Sequence, residues 1–150
     1  MFRRRERKRA LEREIELTAM TLQGFVDAGV LMAAADGEIT AEEYDQIADV
    51  ISGFLDNRVG NSQIRAIINE SVEMLEEQGA DARLDALNTN LVTQELREVA
   101  FQVACAVLVA DGEYGEDDEG EAYDEIADAL EIDQDRAQEL FDEVGAIYAD

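Results

Sequence analysis

Ala35-Asp36-Gly37-Glu38-Ile39-Thr40-Ala41-Glu42-Glu43-Tyr44-Asp45-Gln46-Ile47-Ala48-Asp49 decides the reading of this chain, because both of its ends recur further on. Ala35 to Glu38 returns as Ala110-Asp111-Gly112-Glu113, and Tyr44 to Asp49 returns as Tyr123-Asp124-Glu125-Ile126-Ala127-Asp128. Asp111 follows Asp36 by 75 residues and Tyr123 follows Tyr44 by 79, so four extra residues separate the second turn from its following helix. The chain is an internal duplication organised around two acidic turns.

The flanks of each turn carry apolar residues at helical spacing. Leu22, Phe25, Val26, Gly29, Val30 and Ala33 precede the first turn at intervals of three and four, and Tyr44, Ile47, Ala48, Ile51 and Leu55 follow it. Val99, Ala100, Val103, Ala104, Val107 and Leu108, then Tyr123, Ile126, Ala127 and Leu130, repeat the pattern. Between the units, Asn61 is the expected N-cap of a helix carrying Ile64, Ile67, Ile68, Val72 and Leu75 and ending near Gly79. A short helix is expected from about Asp81 to Asn88. Thr93 and Asp133 are positioned to cap the helices that open the second unit and close the chain. The expected fold is all-α: a single domain of about seven helices with two pseudo-symmetric helix–acidic turn–helix units.

Composition agrees. At 150 residues the chain suits one domain able to bury a real core. It is 47% hydrophobic with no Trp and no Pro, so the core is built from small aliphatic side chains, as packed helices require. The 37 acidic and 12 basic residues are distributed unevenly. Residues 1–13 hold seven basic and two acidic side chains, a net +5, which leaves five Arg against 35 acids, a net −30, for residues 14–150. Residues 1–18 read as a basic helical N-terminal extension, and 19–150 as the all-helical domain. Such an acidic body repels nucleic acid and anionic lipid and attracts cations and basic partners, so only the basic arm is a candidate for nucleic acid. High-salt cytoplasms select the same acid-rich, Lys-poor composition. No run is long and apolar enough to cross a membrane, and the arginines of the N-terminus are not followed by the apolar stretch of a secretory signal. A cytoplasmic location is expected.

Catalysis has little to stand on. There is no His, no nucleophile beside a base and no phosphate-cradling Gly loop, and the single Cys105 lies within the apolar run Val99 to Val109. The turns offer hard-cation chemistry instead. Asp36-Gly37, with Ile39 and then Glu43 seven residues after the Asp, matches the second half of an EF-hand loop, but the first-half ligand positions fall on Met32 and Ala34. Val107 and Val109 occupy the same positions in the second copy, so neither turn is an EF-hand. Thr40 and Glu43 also spell a capping box, which needs no ion. In the second turn Asp111, Glu113, Glu116, Asp117, Asp118, Glu119 and Glu121 place seven carboxyl groups in eleven residues, a self-repulsion that salt or a divalent ion would relieve.

The two Ala-Asp-Gly-Glu copies, each followed by an acidic helix start and an Ile-Ala pair, resemble the tellurite-resistance TerB family and the wider TerB-like domains over roughly residues 20 to 149. The resemblance implies an all-α, non-enzymatic domain linked to tellurite and stress response, binding divalent cations through its acidic motifs. By position it implies Asp36, Glu38 and Glu43 as ligands in the first motif and Asp111 and Glu113 in the second. The second motif's distal acid is Asp118 counted forward from Asp111, whereas counting back from Tyr123 puts Glu121 near the Glu42 position and Ala122 at the Glu43 position. The expected ion is Ca²⁺, or Mg²⁺ or Mn²⁺, with no organic cofactor, and a protein partner reads its state. The alternative is a structural adaptor without metal, its acidity serving solubility or a basic client.

Overall fold

The computed structural model describes residues 18–111 and 117–148, and within these the side chains of residues 36, 111, 117–119 and 148 lie outside the description. Seven α-helices make up the described residues: α1 (Ala19–Ala33), α2 (Ala41–Phe54), α3 (Asn61–Gln78), α4 (Ala80–Asn90), α5 (Gln94–Asp111), α6 (Asp117–Ala129) and α7 (Gln134–Tyr148). A single 3-10 turn, Ala34–Asp36, follows α1. No strand occurs among them.

α1 starts where Thr18 leaves helical geometry (φ −84°, ψ 165°) and its Oγ1 accepts the Thr21 amide at 3.1 Å. The rest of the run 3–18, expected to prolong this helix backward, lies outside the described residues. From Thr21 to Ala33 every residue except Gln23 is buried. Such a helix has no solvent face and belongs at the centre of the fold. α5 behaves in the same way, with Val99 to Leu108 buried without a break. These are the helices that precede the two acidic motifs, and they form the most extensive helix pair among the described residues. The other helices cover them: α2, α3, α4 and α6 pack on α1, while α2, α6 and α7 pack on α5. Phe25 and Phe101 are fully buried in this core, each worth about 1.5–3 kcal/mol of apolar transfer.

The expected caps at Thr93 and Asp133 are present, accepting the amides of Leu96 at 3.2 Å and Arg136 at 2.8 Å. Gly79 ends α3 with φ 87°. Asn61, however, is not an N-cap. Gly60 holds that place without a side-chain bond, and Asn61 is the first helical residue, its Oδ1 accepting Nε of Arg65 at 2.7 Å. One turn down the helix an arginine competes for the Asn oxygen, and a Gly is accepted at the cap itself.

Candidate functional site

Each turn is best understood from its chain geometry. Gly37 has φ 120° and ψ −64°, a region closed to side chains, and its amide donates to the Ala34 carbonyl at 3.0 Å. The chain is thereby turned out of α1 and set up for α2. Thr40 Oγ1 accepts the Glu43 amide at 3.1 Å and Glu43 Oε1 accepts the Thr40 amide at 3.0 Å. Both halves of the expected capping box are therefore made, and Glu43 spends an oxygen on it.

In the second copy, residues 112–116 lie outside the described residues, Glu113 among them, as do the side chains of Asp36, Asp111 and Asp118. The backbone nevertheless places the insertion. α2 begins three residues before Tyr44, whereas α6 begins six before Tyr123, so most of the four inserted residues lengthen the helix and do not widen the turn. Asp117, Asp118 and Glu119 consequently fall in the first turn of α6, where negative charge suits the exposed amides of a helix N-terminus.

The first turn and the second unit meet. The 3-10 turn packs on α6, and between them opens a groove of about 590 Å³. Its floor is apolar: Leu31 of α1, Ile39 of the turn, Val72 and Leu75 of α3, Leu84 of α4 and Ile126 of α6. Its rim is acidic, formed by the exposed Glu38, Glu76, Glu121 and Glu125, and no basic side chain lines it. Two of the sequence-predicted site residues, Glu38 from the first motif and Glu121 from the second, thus share one groove. Glu43 is not among its lining residues.

Glu76 and Glu125 were not singled out in the sequence, because nothing local marks an exposed Glu on an acidic helix. Among the described residues no three acidic side chains gather closely enough to hold a metal ion.

Behind the groove runs a buried polar network. Asp27, 1% exposed in the middle of α1, accepts Nη2 of Arg83 at 2.6 Å, Oγ of Ser71 at 2.5 Å and Nε2 of Gln23 at 2.9 Å. Arg83 also donates to Gln78 at 3.2 Å, leaving its buried Nε without a partner. Ser71 and Arg83 each immediately precede a floor residue, Val72 and Leu84. The network fixes α3 and α4 against α1, and so sets the far wall of the groove.

The tyrosines of the two repeated motifs stand in different surroundings. Tyr44 donates its hydroxyl to the Arg65 carbonyl at 2.6 Å and lies under the Arg65 guanidinium, 5.6 Å from the ring centre. Tyr123 instead stands edge-on between Phe101, at 5.1 Å, and Phe141, at 5.9 Å, and burial pushes its phenol up to about 12. Cys105 is fully buried, and burial raises its thiol far above neutrality, which suits a packing residue and not a nucleophile. No family model, curated protein or solved structure matches the chain.

Proposed function

We propose that this protein is a non-enzymatic interaction module whose groove between the first acidic turn and α6 receives a basic, amphipathic polypeptide segment. One observation carries the reading: an apolar floor and a rim of four carboxylates, with no basic side chain between them, in a groove of about 590 Å³. A segment with apolar side chains on one face and Lys or Arg flanking them satisfies both parts at once. A hard cation would use the rim but gain nothing from the floor. Amide chemical shifts of the full chain, titrated with a Leu/Lys amphipathic peptide, test the proposal. Shifts centred on Gly37, Leu84 and Ala122 are expected, and shifts scattered over the acidic surface would sink it.

A second reading is favoured by the meeting of Glu38 and Glu121 at one groove. It is that of a cytoplasmic TerB-like protein of tellurite and stress response, in which a divalent cation of the Ca²⁺ class joins the two turns and alters the surface offered to a partner. Calorimetry with Ca²⁺, Mg²⁺ and Mn²⁺ checks this, together with the thermal midpoint, which an ion held only by the folded state raises. Absence of heat, or heat unchanged by Asp36→Asn and Asp111→Asn, removes the metal from the account.

A further inference from the structure

We infer that the groove is regulated from within the chain: the basic segment, residues 1–13, is its resident occupant, and an incoming basic partner must displace it. The inference rests on the reading of the groove as a site for basic amphipathic segments.

Charge accounting comes first. Of the five Arg in residues 14–150, Arg65 pairs with Asp45, Arg83 with Asp27, Arg97 with Glu131 and Arg136 with Glu98, while Arg58, between α2 and α3, is not among the residues lining the groove. None of those acids belongs to the groove, and no ion pair within the described residues reaches Glu38, Glu76, Glu121 or Glu125. The only other concentration of positive charge in the sequence is Arg3 to Arg9 together with Arg13. Pattern comes second. The basic run is flanked by Met1 and Phe2 on one side and by Leu11 on the other, so the segment offers apolar groups to the floor as well as cations to the rim.

Reach is the third element. The groove lies at the C-terminal end of α1, with Leu31 twelve residues beyond Ala19, a distance of about 18 Å along the helix. A helix continuing back through residue 18 would carry the segment straight away from the groove. Thr18 is itself not helical: its backbone is extended (φ −84°, ψ 165°) and its side chain caps α1. Arg3 to Arg9 stand nine to fifteen residues before Thr18, enough for about 30–50 Å of extended chain. A flexible tether of this length would supply a local concentration of about 1 mM, so a contact with a Kd of about 0.1 mM would keep the groove about nine-tenths filled.

The experiment compares two full-length proteins, the natural chain and one carrying Arg3→Gln, Arg4→Gln, Arg5→Gln, Arg7→Gln, Lys8→Gln and Arg9→Gln, by anisotropy of a fluorescein-labelled Leu/Lys amphipathic peptide. The neutralised arm is expected to tighten peptide binding about tenfold, the factor lost when a tethered competitor is removed. Adding Glu38→Gln, Glu121→Gln and Glu125→Gln should abolish that gain. Adding Asp49→Asn, Glu70→Gln and Asp135→Asn, equal in charge but away from the groove, should preserve it. Equal binding by the natural and neutralised chains overturns self-occupancy while leaving the groove reading intact. Failure of the neutralised chain to bind the peptide at all overturns both.

Discussion

At Gly24 an added methyl would come within 2.7 Å of both Cδ2 and Cγ of Leu91, a side chain with no exposed surface. Gly24 is therefore a close-approach residue, the point at which the end of α4 is drawn against α1. Helix propensity favours Ala over Gly by about 1 kcal/mol, but overpacking a filled site costs about 1–3 kcal/mol, and here the clash should win. Gly24→Ala is expected to lower stability by about 1–2 kcal/mol in urea unfolding. Gly29→Ala is the control, since its new methyl would meet Ile47, Val103 and Val107 at an ordinary 3.5 Å, and it should be neutral or stabilising by up to about 1 kcal/mol. Both glycines look alike in the sequence, in the same helix and among the same apolar residues. What separates them is the partner across the interface, which no local pattern records.

Helices were the legible level of this chain. Their number, the caps at Thr40, Thr93 and Asp133 and the stop at Gly79 follow from residue types whose effects act within one turn. The amphipathic spacing of Leu22 to Ala33 described only part of the outcome, because α1 is covered on every side and its one charged residue, Asp27, is bonded inside. That network calls for a double-mutant cycle. Asp27→Ala or Arg83→Met alone strands a buried charge and should cost about 3–5 kcal/mol, whereas Asp27→Leu with Arg83→Met should cost much less than the sum of the single changes. Additive losses would show that the two side chains act independently. Between α5 and α7, Arg136 grips Glu98 with both Nε and Nη2, at 3.0 and 2.8 Å, and this hydrogen bonding holds the Glu98 carboxyl below its usual range. A depressed carboxyl stabilises the fold above its unfolded pKa, about 4.3, and the contribution fades as pH falls through the folded value. Arg136→Met should therefore lower the thermal midpoint near pH 7 by an amount set by about 1 kcal/mol, with the gap to the natural chain closing below about pH 4. A gap that persisted in acid would assign the effect to packing of the arginine stem.

For the molecule as a whole, the net charge of −25 at pH 7 is a standing repulsion that folding concentrates. Raising NaCl from about 0.1 M to about 1 M shortens the Debye length from about 10 Å to about 3 Å, and the thermal midpoint should climb by several degrees. A flat response would mean that the acids are already neutralised within the fold. This excess charge was plain in the sequence; the groove that collects part of it was not. Glu38 and Glu121 are 83 positions apart, and they meet only because the 3-10 turn after α1 packs on α6. Glu76 and Glu125 reach the rim through the same packing, from helices whose local sequence announces only solvent exposure.

The mutual burial of α1 and α5 also governs how the chain can be divided. The duplicated sequence invites a cut between α4 and α5, yet each half would then expose one helix that has no polar side, and neither would be expected to remain soluble alone. Produced together, the halves should recombine, each supplying the covering that the other lacks. One such unit standing alone would meet the same need by pairing with an identical copy, so the present chain carries within itself the covering that a homodimer would otherwise supply.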